Sequence, residues 1–239
     1  MSHPCEAPPL APGEVHVWTF RLDLDRAWVE ALERWLAPEE RRRAATFRFA
    51  RDRRRFVAAR ARLREVLARY LRVAPSEVTL AYGPQGKPCL ARPEAPRFNL
   101  SHSEEEAVLA VAGGREVGID LEKVRPDFQC DRVARFFFSR AETAALSALP
   151  AAERPPAFFA CWTRKEAFVK ALGGGLAVPL ADFDVSVDPD RPARLLHTAW
   201  DTREASRWSL HSIPAPGGYA SAIAVEGPAP RIRAMEGGF

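Results

Sequence analysis

The chain has 239 residues, of which 47% are hydrophobic and 28% are charged, so it can bury a sizeable core. It has no run of about 18 apolar residues, and residues 1–9 lack the basic start and apolar core of a secretory signal, so we expect no membrane span and a cytoplasmic location. The net charge of +4 is small for a nucleic-acid-binding protein, and four widely spaced cysteines without a CxxC pair indicate a reducing compartment.

Hydrophobic periodicity and turn residues divide the chain into strands and helices in a repeated order. Residues 1–13 are predicted to be a disordered, proline-rich lead. Gly113 and Gly114 predict a hairpin between strands over 107–112 and 116–122. Strands, a helical section and strands again, occurring twice, predict an α+β architecture. The other predicted strands cover 15–22, 78–82, 183–187, 207–213 and 219–225. The predicted helices cover 25–36, 130–138, 140–149 and 156–172, and an arginine-rich helical region runs from 38 to about 71.

The segment from Arg41 to Arg64 contains eleven arginines interleaved with phenylalanines. Such a run makes nucleic-acid binding an alternative function. Apolar residues in and after the segment, such as Phe56, Leu63 and Leu67, follow helical spacing, and no recognition-helix pattern is legible. We therefore predict a buried helix with an arginine-rich outer face.

A short apolar strand ends in the small polar residues and single imidazole of Arg97-Phe-Asn-Leu-Ser-His-Ser103. A strand end is a usual place for a ligand. His102 could hydrogen-bond to a phosphate or, when protonated, neutralise it, and it could equally cap the loop. No second histidine or cysteine lies at a zinc-like spacing, so a zinc site is not expected.

Two carboxylates follow in Val117-Gly-Ile-Asp-Leu-Glu-Lys123, where alternation predicts a strand with Asp120 and Glu122 on one face. Adjacent hard oxygen ligands suit Mg²⁺, which commonly binds one or two carboxylates and completes its shell with water and substrate phosphates. The alternative is a solvent-facing strand edge with incidental acids.

A third carboxylate lies in Trp162-Thr-Arg-Lys-Glu-Ala-Phe-Val-Lys170, a predicted helix that ends at the glycines 173–175. Glu166 is set into its apolar stripe and is flanked by Lys165 and Lys170, a combination that suits a metal-bound phosphate. An ordinary amphipathic helix with an i,i+4 ion pair between Glu166 and Lys170 is the alternative.

Taken together, these motifs resemble the 4′-phosphopantetheinyl transferases of the larger, surfactin-synthetase-activating (Sfp-like) type. The resemblance implies two pseudo-symmetric lobes, each a small antiparallel sheet packed with helices, over 1–117 and 118–239, with coenzyme A in the cleft between them. The motifs that carry it are Gly86-Lys-Pro88, Phe98-Asn-Leu-Ser-His-Ser103, Gly118-Ile-Asp-Leu-Glu122 with Arg125-Pro126, Phe137-Phe-Ser-x-x-Glu142 and Trp162-x-x-Lys-Glu-Ala-x-x-Lys170.

The resemblance also implies a reaction: the phosphopantetheine arm of coenzyme A moves to a serine of an acyl or peptidyl carrier protein, and adenosine 3′,5′-bisphosphate is released. Mg²⁺, or Mn²⁺ in its place, is expected between Asp120, Glu122 and Glu166, with Glu166 also the candidate base. Lys165 and Lys170 would stabilise charge on the diphosphate. The residues expected to bind coenzyme A, chiefly at its 3′-phosphate, are Arg43, Arg51, Arg55, Lys87, Ser101 and His102.

Three further expectations follow from the resemblance. Glu40 stands where some relatives have a basic residue, which puts the first phosphate contact of that segment in doubt. The segment from Phe136 to Arg140 is the candidate docking surface for an acidic carrier protein, with core packing as its alternative. A monomer should suffice. A metal-dependent diphosphate hydrolase would need the same acids and lysines, and it is the competing enzyme class.

Overall fold

The computed structural model describes residues 7, 9–92 and 94–236, and within them the chain is an α+β fold as predicted. The predicted disordered lead lies partly outside the described residues, but Leu10 packs against a hydrophobic core, so that prediction is wrong at this end. The strands are β1 Glu14–Arg21, β2 Leu80–Tyr82, β3 Pro88–Leu90, β4 Arg97–Ser103, β5 Glu106–Ala112, β6 Val117–Lys123, β7 Phe183–Val185, β8 Leu195–Thr198, β9 Trp208–Ser212, β10 Tyr219–Glu226 and β11 Arg231–Glu236, and the helices are α1 Arg26–Leu32, α2 Pro38–Ala45, α3 Ala50–Leu71, α4 Cys130–Phe137, α5 Arg140–Ser147, α6 Arg154–Leu172 and α7 Glu204–Arg207.

Two main sheets organise the molecule. The first has the strand order β11-β1-β5-β4 and the second β6-β10-β9, while β2-β3 and β7-β8 form separate pairs. Strand β11 runs parallel to β1 and the other pairs are antiparallel. The proposed lobe over 118–239 therefore sends its last strand into the sheet of the other lobe.

The predicted hairpin between 107–112 and 116–122 is wrong. Strand β5 pairs with β1 on one edge and β4 on the other, and β6 pairs with β10 in the second sheet. All seven residues of β5 are buried, so this strand is central rather than the arm of a surface hairpin. Gly113 and Gly114 lie where the chain passes from the first sheet to the second. A turn motif predicts that the chain reverses direction, but it does not determine which strands then pair.

Three apolar clusters position the site. One packs α3 on the first sheet, a second surrounds α6 in the other half, and a third, with Val17, Val108, Ile119 and Ile223, lies between the two sheets. Helix α6 ends as predicted, with Gly173 in the left-handed conformation at φ 69°. Among the described helices, none is both long and apolar enough to cross a membrane.

Helix α6 lies directly on β6 because Gly118 has no side chain. A Cβ atom at this position would lie 2.1 Å from the Ala167 carbonyl oxygen and 2.3 Å from the Ala171 amide nitrogen. Only glycine allows this approach of strand and helix backbones. The contact fixes the position of Asp120, which lies two residues further along β6, relative to Lys170 on α6.

Most arginines of the arginine-rich segment are exposed, as predicted, whereas Arg60 and Arg64 belong to an internal network around Glu40. Glu40 is 3% exposed and accepts hydrogen bonds from the Ala37 amide, Arg60 and Arg64 at 2.9, 2.7 and 2.6 Å. Further arginines of α3 pair with acids, among them Arg53 with Glu33. Glu40 thus ties α2 to α3, which explains an acidic residue here.

A buried histidine on β1 gives the fold a pH dependence. His16 is fully buried, with Nδ1 2.6 Å from the Tyr70 hydroxyl, which itself accepts from Trp18 Nε1 at 3.2 Å. Desolvation lowers the pKa of His16 despite the opposing charge of Glu14. The unfolded chain therefore binds a proton more readily at this position.

The neutral, buried His16 contributes to the free energy of unfolding, and we expect that contribution to be lost as pH falls below the unfolded-state pKa of about 6.5. Below that pH the unfolded chain takes up a proton at this histidine more readily than the folded protein does. Urea titrations at pH 7.5 and 5.5 should show a smaller loss of unfolding free energy in His16→Asn than in the wild type. His197, whose side chain is 54% exposed, supplies the control, His197→Asn. Equal losses in His16→Asn and the wild type would contradict the expectation.

Candidate active site

The two sheets meet along a seam between β4 and β6 that side chains, rather than backbone pairs, hold together. Asn99 Oδ1 accepts from the Ile119 amide at 2.9 Å, and Ser101 Oγ donates to Asp120 Oδ1 at 2.8 Å. Ser103 Oγ donates to Glu122 Oε2 at 2.9 Å. Every second residue of β4 therefore contacts β6, and two of the three contacts orient a predicted carboxylate.

Asp120 is the centre of the site. It is 3% exposed, and Lys170 Nζ lies 2.5 Å from Oδ1 and 3.0 Å from Ser101 Oγ. The other oxygen, Oδ2, is buried and has no hydrogen-bond partner in the described part of the chain. A buried carboxylate oxygen without a partner is costly, so this atom suits a further positive group.

The other two predicted acids share the electrostatic neighbourhood of Asp120. Burial raises the pKa of Glu166, and the negative charge of Asp120 raises it further, while Lys170 opposes the shift. Burial and then Asp120 also raise the pKa of Glu122, against the hydrogen bond from Ser103. Mutually repelling carboxylates of this kind are stabilised by a cation.

The donor set fits a hard divalent cation by its chemistry, since all three groups offer carboxylate oxygens. Across residues 7, 9–92 and 94–236, no three acidic, histidine or cysteine side chains are already arranged to hold a metal ion. One Asp120 oxygen is engaged by Lys170 and one Glu122 oxygen by Ser103. A common ion for Asp120, Glu122 and Glu166 therefore stays a prediction.

A cavity of about 530 Å³ opens beside these residues, between α6 and the turn that joins β2 to β3. Glu166 and Lys170 form part of its wall. Trp162, Val169 and Phe137 make much of the rest apolar, and Lys87 enters from the turn. Such a mixture of apolar wall and a few charged groups is typical of a small-molecule site.

Lys87 is less available than predicted. Its ammonium group donates to Glu116 at 2.9 Å and to the carbonyl oxygens of Val117 and Ala171 at 3.2 and 3.0 Å. An ammonium has three donors, and these three oxygens occupy them. Lys87 thus lines the cavity while it joins the C-terminal end of α6 to the seam.

The structure does not bring Lys165 to the site, which corrects the prediction that it acts beside Lys170. Lys165 is fully buried, pairs with Glu142 at 2.8 Å and donates to the Leu180 and Phe183 carbonyl oxygens at 2.7 and 2.5 Å. Glu142 also accepts from the Val185 amide at 2.7 Å. This pair ties α5, α6 and β7 together on the far side of α6.

The predicted arginine contacts differ in availability. Arg55 pairs with Asp23 at 2.6 Å and Glu104 at 3.0 Å, and the Asp23 hydrogen bond raises the pKa of Arg55. It is thus engaged by acids rather than free for a phosphate. Arg43 and Arg51 are exposed: the first lies over the Phe56 ring at 5.4 Å, and the second contacts its neighbour Asp52.

His102 is exposed at the end of β4, near the charged groups of the site. Desolvation, followed by the positive charges of Lys170 and Arg55, lowers the pKa of His102. Both sequence-based roles of His102, as a hydrogen-bond donor to a phosphate or as its counter-charge, therefore stay predictions.

Two contributors lie in the quoted motifs but were given no role from the sequence: Asn99, which fixes the seam, and Glu142, which holds Lys165. A usable signal is the rarity of lysine, which occurs four times against 31 arginines, at positions 87, 123, 165 and 170. All four make contacts at the seam or from α6. In a chain that otherwise uses arginine, lysine marks Lys87 and Lys170 on the cavity wall, whereas Lys165 lies on the far side of α6.

Comparisons with known sequences identify the family of the chain. The profile of the 4′-phosphopantetheinyl transferase superfamily matches residues 116–224, and that of the 4′-phosphopantetheinyl transferase N-terminal region matches 24–113. The 4′-phosphopantetheinyl transferase HetI of Nostoc sp. is 38% identical over 221 residues, which cover 91% of this chain and 90% of HetI. The 4′-phosphopantetheinyl transferase Sfp of Bacillus subtilis is 31% identical over 156 residues, covering 65% of this chain and 68% of Sfp.

A solved holo-(acyl-carrier-protein) synthase of Bacillus anthracis in complex with coenzyme A matches 47% of this chain and 96% of its own, at 21% identity and a TM-score of 0.36. The assignment follows from the sequence matches. The chain belongs to the 4′-phosphopantetheinyl transferase family, of the Sfp-like type. It is accordingly an enzyme that transfers the phosphopantetheinyl group.

Proposed function

We propose that this enzyme moves the 4′-phosphopantetheine arm of coenzyme A to a serine hydroxyl of an apo acyl or peptidyl carrier protein. Mg²⁺ is the cofactor, and adenosine 3′,5′-bisphosphate is the second product. The environment of Asp120 supports this most. Its Oδ1 contacts Lys170, and its Oδ2 is buried without a partner in the described residues. Asp120 also interacts electrostatically with Glu122 and Glu166.

Asp120, Glu122 and Glu166 are the residues that would hold the cation. When bound there, such an ion would supply charge stabilisation for the diphosphate of coenzyme A. Lys170 lies on the cavity wall, and its ammonium group is proposed to stabilise charge on the same diphosphate. Mg²⁺ and Mn²⁺ both accept such oxygen donors, and we propose Mg²⁺ as the natural ion.

Coenzyme A is proposed to occupy the cleft between the lobes 1–117 and 118–239, with its nucleotide toward the first. Arg43 and Arg51 are the exposed cations of that lobe which we propose for the 3′-phosphate, and His102 for a hydrogen bond. Ser101 belongs to one lobe and Glu166 to the other, so one chain supplies both sides of the site. This supports a monomer as the active form.

Glu166 is proposed as the base that accepts the serine proton, directly or through a water. It lines the cavity beside Lys170, within reach of a substrate bound there, and burial raises the pKa of its carboxyl above the usual value. We expect Glu166→Gln to lower kcat by 10²-fold or more while coenzyme A still binds. The measurement is single-turnover transfer at saturating coenzyme A, paired with calorimetric titration of coenzyme A. Transfer at the wild-type rate would refute the base role.

Carrier protein is proposed to dock on α4. Phe136 and Phe137 are 75% and 46% exposed, and Arg132 and Arg135 are exposed beside them. Phe137 also lines the cavity, whereas Phe136 lines a neighbouring groove of about 670 Å³. Their exposure argues against the core-packing alternative for these two rings, although Phe138 is buried.

Reversing the two charges on α4 should weaken carrier binding. We expect the double variant Arg132→Glu/Arg135→Glu to raise KM for an acidic carrier protein about tenfold or more at low salt, with kcat changed far less. Steady-state kinetics at two salt concentrations tests this, because the defect should shrink as salt screens the charges. Arg191→Glu, an exposed arginine elsewhere, is the control. An unchanged KM would remove α4 as the docking surface.

The reaction is tested by intact-mass measurement of apo carrier protein mixed with the enzyme, coenzyme A and Mg²⁺. Transfer adds about 340 Da, the mass of the phosphopantetheine arm, and chelation of the divalent ion should abolish the addition. Chromatography of the nucleotides identifies adenosine 3′,5′-bisphosphate. Cleavage of coenzyme A in the absence of carrier protein would instead indicate the diphosphate hydrolase.

A further inference from the structure

Lys170 holds an unusual position for a residue that is meant to meet a phosphate. Its ammonium lies 2.5 Å from Asp120 Oδ1 and 3.0 Å from Ser101 Oγ, while 29% of its side chain stays exposed on the cavity wall. One cation thus contacts both the central acid of the site and the space open to substrate.

A divalent ion on Asp120 would have to share that carboxylate with the ammonium. Two positive charges about 5 Å apart repel one another even at the dielectric constant of water, and for a dication the effect corresponds to about tenfold or more in affinity. Lys170 in its observed position therefore weakens cation binding to the enzyme alone.

A diphosphate in the cavity changes this balance. It offers the ammonium a partner with more negative charge than one carboxylate, and the flexible lysine stem lets the head group move between the two. Once the ammonium has turned to the diphosphate, the repulsion falls and Asp120 is free for the cation.

We propose that Lys170 is an exchangeable counter-ion of Asp120, which coenzyme A draws away and which thereby makes coenzyme A and the divalent cation bind cooperatively. This inference rests on the proposed function, because it takes Asp120 as a cation ligand and coenzyme A as the diphosphate. Linkage makes the coupling reciprocal: each ligand strengthens the other by the same factor.

The choice of lysine agrees with this role. An arginine at position 170 would present a planar fork that can bind both oxygens of a carboxylate at once. Such a pair would also engage Asp120 Oδ2, the buried oxygen that has no partner in the described residues. Lysine, as a point charge, engages Oδ1 alone in a chain with 31 arginines and four lysines.

The test is direct titration of Mn²⁺, followed by its electron paramagnetic resonance signal, with no carrier protein present. Wild type, Lys170→Met and Lys170→Arg are compared at pH 8, first alone and then with saturating coenzyme A. Circular dichroism verifies that each variant is folded. Arg26→Met, which removes one positive charge from a side chain that is 86% exposed, controls for net charge.

Without coenzyme A, Lys170→Met should bind Mn²⁺ at least about tenfold more tightly than the wild type. Lys170→Arg should bind no more tightly than the wild type, and Arg26→Met should differ less than about twofold. Coenzyme A should tighten Mn²⁺ binding by a larger factor in the wild type than in Lys170→Met, because only the wild type has the ammonium to move.

Mn²⁺ affinity in Lys170→Met equal to or weaker than in the wild type would overturn the inference. So would a coenzyme A effect of the same size in both proteins. If the wild type binds no Mn²⁺ even with coenzyme A, the metal site of the proposed function fails, and the counter-ion role fails with it. Failure of the inference alone leaves cation binding and transfer intact, so the two results are distinguishable.

Discussion

Asp120→Asn should lower kcat/KM for carrier-protein modification by about 10³-fold while the protein stays folded. The amide has the size of the carboxylate but no negative charge, so the ammonium of Lys170 loses its ion pair and the site loses its central cation ligand. The Asp120 backbone carbonyl, which accepts from Ser221 Oγ at 2.6 Å, is unaffected by the change.

Initial rates of carrier modification, measured by intact mass at several coenzyme A concentrations, give this value. Asp127→Asn is the matched control, because Asp127 is an exposed acid on the loop after β6. It should change kcat/KM less than about threefold, as expected for a surface substitution. Activity of Asp120→Asn within threefold of the wild type would exclude Asp120 from the reaction.

Gly118→Ala should destabilise the protein by about 3 kcal/mol or more, at the upper end of the cost of overpacking. The added methyl group would lie 2.1 Å from the Ala167 oxygen and 2.3 Å from the Ala171 nitrogen. Both are backbone atoms of α6, which cannot step aside as a flexible side chain can. The folded fraction of Gly118→Ala should also transfer the phosphopantetheinyl group slowly, because α6 moves away from β6 and separates Lys170 from Asp120.

Urea denaturation measures the stability change, and the transfer rate per folded molecule measures the displacement. Gly217→Ala is the control, since a Cβ atom there meets nothing within 4 Å. A loss in Gly118→Ala below about 1 kcal/mol would mean that strand and helix separate easily. The close approach would then not be what positions the site.

Local sequence patterns predicted the elements better than their partners. Most of the helices and strands follow from spacing of apolar residues, and the end of α6 follows from Gly173. The pairing of β5 could not be predicted from such spacing, because a strand with every residue buried can pair with several different strands. Strand β11 was missed, since arginines alternate with its apolar residues only briefly.

The sequence identified the three acids near the site, but of the two lysines predicted on α6 only Lys170 lies there. Lys165 and Lys170 both flank Glu166 in the chain, yet residues four apart share a helix face and adjacent residues do not. Helix geometry alone therefore separates Lys170, which meets Asp120, from Lys165, which meets Glu142. The hydrogen bonds from β4 to β6 could not be predicted, because side chains of one sheet make them with residues of another.

The pairing of β11 with β1 bears on how the enzyme can be cut or fused. Arg231 lies opposite Glu14 and Glu236 opposite Thr19, so residues from opposite ends of the sequence are neighbours in one sheet. A truncation before Arg231 would leave β1 with an open edge that invites intermolecular strand addition and aggregation. Expression of 1–117 and 118–239 as separate fragments should consequently yield a first half that precipitates unless the second supplies its terminal strand.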